Sequence, residues 1–136
     1  MVSLETVGQV DVGAFTGVPA LLWNSYNGQR GGEALADVLF GRTNPSGRLP
    51  FTWYADGAAL PSIEDYGIRA EGGSPGRTYE YYTGPVAFPF GYGLGYAGVA
   101  YGPASVDRAA VSPDDTVTVT VDVTNTGSAD AAGLAA

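Results

Sequence analysis

The chain has 136 residues, of which 45% are hydrophobic and 15% charged, enough apolar material for one ordinary domain or parts of two. Its formal net charge of -8, with 6 basic residues against 14 acidic ones, argues against nucleic acid and anionic membrane surfaces as partners, because both need Lys or Arg to meet phosphates. Neither His nor Cys occurs, which removes Ser-His-Asp chemistry, imidazole and thiolate metal sites and disulfides, and leaves carboxylates, Tyr, Arg and amides for any chemistry. Neutral ligands such as sugars stay open.

Val2 to Val7 and Val18 to Trp23 are short apolar runs bounded by Gly and Pro, and each reads as a buried strand. The turn-rich stretch from Asn24 to Gly32 follows. Glu33 to Phe40 then reads as a short helix, with Leu35, Val38 and Leu39 on one face, Glu33 and Asp37 toward solvent, and Gly41 as its carboxyl cap. Strand, glycine-rich loop and helix make half of an α/β unit. From Arg42 to Tyr101 the helical period disappears and Gly, Pro and aromatics become dense. Asn44-Pro45-Ser46-Gly47 is a turn, and Leu49 to Tyr54 is a short extended segment. The aromatic stretches Tyr79–Tyr82 and Phe88–Tyr96 need a larger body to pack on, since so long an irregular segment is unusual in a compact domain.

The last portion reads as all-β. Thr116 to Val123 alternates without a break and puts Val117, Val119, Val121 and Val123 on one face. Asn125-Thr126-Gly127 makes a turn, and the stretch around Ala104–Asp107 is the expected partner strand. A lone hairpin is marginal in water, so a longer parent protein is the expectation, with the boundary in Pro103–Asp115.

The catalytic candidates are sparse. Glu64, Asp65, Glu71, Glu80, Asp114 and Asp115 lie in loops or turns, and no spacing selects two of them as the carboxylate pair that glycoside hydrolysis uses. Surface and capping roles account for them. Gly28–Gly32 before the helix lacks the Lys of a phosphate loop, and Gly91-Tyr92-Gly93-Leu94-Gly95 opens no helix, so neither reads as a nucleotide site. The start of the chain lacks the layout of a signal peptide, and no apolar run approaches the ~20 residues of a membrane span.

Taken together and in order, these segments resemble a known family. Leu21 to Gly41, Asn44-Pro45-Ser46-Gly47-Arg48-Leu49-Pro50, Pro75-Gly76-Arg77-Thr78-Tyr79 and Phe88 to Leu94 resemble the carboxy-terminal α/β domain of glycoside hydrolase family three. Val117 to Gly127 is similar to the opening of the fibronectin-III-like domain that commonly follows. Gly8-Gln9-Val10-Asp11 and Asp65-Tyr66-Gly67-Ile68-Arg69 look more like the β-xylosidase branch than the β-glucosidase one. Gly95 and Ala97 depart from the Ser and Thr usual there. The tail from Ala131 to Ala136 lacks the acidic, apolar strand expected next.

The resemblance implies an α/β fold in two parts. Residues 1–102 would be the distal part of an α/β sandwich domain, with a long irregular aromatic and Gly-rich segment. Residues 103–136 would be the first strands of an incomplete fibronectin-III-like β-sandwich. It also implies a parent that removes terminal β-linked xylose or glucose with retention, through a glycosyl intermediate, without a cofactor. The family's nucleophilic Asp, on an amino-terminal barrel, and its acid/base Glu would both lie upstream, so no residue here is assigned a catalytic role and the chain alone is expected to be inactive. An extracellular or periplasmic setting goes with the family. Tyr26 and Gln29, just past a predicted strand end, are the candidates for lining the sugar cleft. The alternative reading is a non-catalytic carbohydrate-binding or domain-docking module.

Overall fold

The computed structural model describes residues 1–131, so the reading of the tail beyond Ala131 lies outside the described residues. Strand β1 (Val2–Glu5) pairs in parallel with β2 (Leu21–Asn24), in a register that sets Val2 against Leu21 and Glu5 against Asn24. Both strands are shorter than the apolar runs that predict them. β1 stops where the Thr6 hydroxyl turns onto the Gly8 carbonyl at 2.7 Å. Val18 closes a 3-10 turn at Gly13–Phe15 by donating its N–H to Phe15, and Pro19 has no N–H to give a ladder, so β2 begins at Leu21.

Helix α1 spans Gly31–Leu39 and starts earlier than its apolar periodicity suggests, because the 3-10 turn Gly28–Arg30 feeds directly into it. No side chain caps its amino end. Glu33 in its first turn meets the helix dipole and is held by Arg30, with N···O distances of 2.8 and 2.5 Å. The carboxyl end closes on Phe40, with Gly41 following at φ 72°. Gly41 donates to the Val38 carbonyl and Arg42 to that of Asp37, the two bonds of a Schellman ending. The Arg42 guanidinium also reaches the Asp37 carboxylate at 3.0 Å.

The irregular middle holds little regular structure. β3 (Trp53–Tyr54) pairs antiparallel with β4 (Val86–Phe88), and α2 (Thr78–Tyr81) is one turn long. Order comes from aromatic packing instead. Trp53 is 1% exposed, and its ring meets those of Trp23, Phe51 and Phe88 at centroid separations of 6.0, 5.7 and 6.3 Å. Its indole N–H donates to the Val10 carbonyl at 2.8 Å, which satisfies the polar tip of a buried ring. Beside it Thr52 is buried, and Leu4 of β1 is the other buried apolar residue among those described.

Toward the carboxyl end, β5 (Val99–Tyr101) pairs antiparallel with β8 (Val123–Asn125), and β6 (Ser105–Val106) pairs with β7 (Val119–Thr120). The expected partner around Ala104–Asp107 is therefore in place, but the single long strand over 116–123 is not. It breaks into β7 and β8 around Val121 and Asp122, where Gly102 donates to the Asp122 carbonyl. Val117, Val119 and Val123 remain 40%, 60% and 53% exposed, because among the described residues no second layer covers that face. Asn125, expected in the turn, ends β8 and accepts the Gly127 N–H on its own side chain.

A side-chain crossing ties this end to the rest. The Asn44 carboxamide donates to the Asp130 carbonyl and accepts the Tyr96 N–H, both at 2.7 Å, while the Tyr96 hydroxyl donates to the Val38 carbonyl at the end of α1. A side chain at Gly95 would press within 2.9 Å of the Asn44 oxygen, which accounts for glycine there.

The total exposed area is 9637 Å² for a 13.9 kDa chain, where a compact monomer of that mass exposes about 6,700 Å². Ile63, Tyr66, Phe40 and Leu94 are each more than 70% exposed. No helix among the described residues is long and apolar enough to cross a membrane.

Candidate functional site

Parallel strands present their carboxyl ends to one edge, and α/β folds place ligands there. Here that edge carries Thr6 after β1 and the loop Ser25–Asn27 after β2. Thr6 and Trp23 lock the strand ends, since the Trp23 indole N–H donates to the Thr6 hydroxyl at 3.1 Å and the Thr6 N–H donates to the Asn24 carbonyl at 3.3 Å. The Asn24 side-chain oxygen is buried there without a hydrogen-bond partner among the described residues. Tyr26 follows, 79% exposed, and Gln29 is exposed on the 3-10 turn Gly28–Arg30 that enters α1. The chain can turn so tightly because Gly28 has φ 65° and because a side chain at Gly31 would strike Asn27. Tyr26 and Gln29 thus sit on one exposed stretch between β2 and α1.

A second concave region lies in the loop 62–77. Arg77 organises it by donating to the Ser62 and Asp65 carbonyls. Asp65 accepts the Gly67 N–H at 2.9 Å and the Ser74 hydroxyl at 2.9 Å. Its carboxyl is held below the usual range, first by the Gly67 N–H, then by Ser74, with a smaller contribution from the Arg77 charge and some opposition from burial. This carboxylate serves the loop by accepting both hydrogen bonds. The hollow beside it, about 400 Å³, is edged by Asp65, Arg69, Glu71 and Ser74. A second groove, about 340 Å³, is lined mainly by apolar side chains such as Val12, Phe15, Val18, Leu21 and Phe88.

Among the described residues no group of three or more His, Cys, Asp or Glu side chains could hold a metal ion. Glu64, Glu80, Asp114 and Asp115 stay on exposed surface. Sequence reasoning missed the two residues that give the loop region its shape. Arg77 was visible only as part of a motif, and Arg69 only as the end of another.

The model of the glycosyl hydrolase family 3 C-terminal domain matches residues 1–96. The chain belongs to this family. Beta-D-xylosidase 1 of Arabidopsis thaliana is 46% identical over 96 residues, covering 70% of this chain and 12% of that protein. Exo-1,4-beta-xylosidase xlnD of Aspergillus niger is 47% identical over 93 residues, covering 65% of this chain and 12% of the relative. Among solved structures, a family 3 exo-beta-xylosidase bound to a xylobiose aziridine probe has a TM-score of 0.67 at 38% identity, over 74% of this chain and 14% of that one. Beta-D-glucoside glucohydrolase from Trichoderma reesei has a TM-score of 0.71 at 28% identity, over 92% of this chain and 21% of its own. The chain therefore spans about an eighth of the length of these curated relatives.

Proposed function

We propose that this chain is the carboxy-terminal part of a retaining exo-glycosidase that removes terminal β-linked xylose from oligosaccharides. The observation that carries this is the family 3 match over residues 1–96 together with relatives named as xylosidases at 46–47% identity. Glucose is the second choice of sugar, supported by likeness to a glucoside glucohydrolase. The division into an α/β part at 1–102 and a fibronectin-III-like part at 103–136 goes with this reading. Nucleophile and acid/base belong to other parts of the parent, which a retaining mechanism needs as two carboxylates. Tyr26 and Gln29 contribute the rim of the sugar cleft, with a Tyr face to pack on pyranose C–H groups and an amide to meet hydroxyls.

The excess exposed area supports a second, compatible role, docking on the amino-terminal barrel. The test is turnover of an aryl β-xyloside and an aryl β-glucoside, by this chain alone and by a polypeptide that joins it to that barrel. The expected result is silence from the chain alone and faster xyloside turnover from the joined polypeptide. Turnover by the chain alone, or none by either, overturns the reading.

A further inference from the structure

Every basic residue of the chain is an arginine, and the side chains of five of them are engaged. Arg30, Arg42 and Arg108 pair with Glu33, Asp37 and Asp107, and Arg48 and Arg77 donate to backbone carbonyls. Arg69 differs. Its guanidinium lies 4.9 Å from the centre of the Tyr81 ring, and it makes no hydrogen bond or ion pair among the described residues. The exposed guanidinium is therefore held over an aromatic face with its N–H donors open to solvent.

The backbone around Arg69 is pinned. Glu71 donates its N–H to the Arg69 carbonyl at 3.1 Å, Ser74 to that of Glu71 at 3.0 Å, and Arg77 to that of Ile68 at 2.9 Å. Gly72 and Gly73 take the turn at φ 61° and 87°, and Thr78, a non-glycine at φ 66°, marks a strained junction just beyond it. The Glu71 carboxylate, like the Arg69 guanidinium, has no hydrogen-bond partner among the described residues, and both edge the 400 Å³ hollow. The hollow is open to solvent, and Arg69 and Glu71 at its edge are exposed.

We infer that this hollow is a saccharide subsite in which Arg69 donates to, and Glu71 accepts from, the hydroxyls of one sugar unit. A hydroxyl both donates and accepts, so a guanidinium and a carboxylate edging one hollow match neighbouring hydroxyls of a neutral sugar. An anionic sugar fits less well, because Asp65 and Glu71 outnumber the single free guanidinium and the chain carries -8 overall. The ordered loop lowers the entropy lost on binding. This inference rests on the carbohydrate reading above and adds a second contact region, distinct from Tyr26 and Gln29.

The experiment is a titration of the intact chain with xylobiose, and separately with cellobiose, followed by amide NMR shifts. Shifts centred on 67–74 are expected, with affinity roughly ten- to hundredfold weaker in Arg69→Met and in Glu71→Gln. Arg69→Lys keeps the charge without the fork and is expected between wild type and Arg69→Met. Shifts confined to residues 24–30 and unchanged in Arg69→Met would overturn the subsite while leaving the glycosidase reading intact. Absence of any shift also overturns it, and the aryl xyloside assay then decides the glycosidase reading on its own.

Discussion

The Gln9 carboxamide straddles the start of β3: its N–H donates to the Thr52 carbonyl at 2.7 Å and its oxygen accepts the Tyr54 N–H at 3.1 Å. One side chain thus replaces a missing strand along that edge, and fastens the loop after β1 to the aromatic core. Gln9→Ala removes both bonds and leaves a buried residue's carbonyl without its partner. It is expected to lower stability by about 1–2 kcal/mol, measured as a shift in the urea midpoint. An unchanged midpoint would mean that water replaces the carboxamide at no cost.

Trp53 is the most consequential single residue for folding. It is 1% exposed and joins three other rings. Trp53→Ala should cost about 3–5 kcal/mol. Trp53→Phe keeps much of the ring but loses the bond to the Val10 carbonyl, so a smaller loss is expected. Thermal unfolding of the two variants should rank them in that order, and the reverse order would count against the aromatic core described here.

Two glycines with left-handed backbones separate strain from collision. At Gly41, φ 72°, nothing lies within 4 Å of an added side chain; at Gly76, φ 77°, it would strike the Tyr81 carbonyl. Gly41→Ala should cost about 1–2 kcal/mol from backbone strain alone. Gly76→Ala should cost clearly more, and equal losses in denaturant titrations would contradict the close approach at Tyr81.

Asp65 gives a pH dependence of known sign. Its carboxyl is depressed by the Gly67 N–H, the Ser74 hydroxyl and, less, the Arg77 charge. A depressed folded-state value stabilises the fold above the unfolded carboxylate value and loses that contribution as pH falls through the folded one. Asp65→Asn should therefore narrow its stability deficit against the wild type as pH drops from neutrality to below the ordinary carboxylate range. A deficit that stays constant over that span would exclude this linkage.

How much of this was legible in advance varied with how local each element is. The strands after Met1 and before Asn24 and the helix before Gly41 carry their own periodicity and punctuation, so they were readable within a few residues. β5 was not, because Val99–Tyr101 is a short apolar run between glycines whose identity comes from β8, some twenty residues on. The Val-rich stretch over 116–123 misled in the opposite way, since alternation describes a strand that has a partner along its whole length. Of the candidate site, the placing of Tyr26 and Gln29 on an exposed stretch past β2 was legible from position alone, and their contact with sugar is proposed. Arg69 was not legible: an arginine two residues from a glutamate in a Gly-rich loop looks like any surface ion pair, whereas its guanidinium lies over the Tyr81 ring.

The Asn44 crossing has a mechanical consequence. Tension applied at residue 130 is shared between the backbone leading into β8 and the Asn44 bond, which passes its part through Tyr96 to the last turn of α1. The carboxy-terminal strands are thereby guyed to the helix rather than hinged from it, and a swing of that end requires Asn44 to let go.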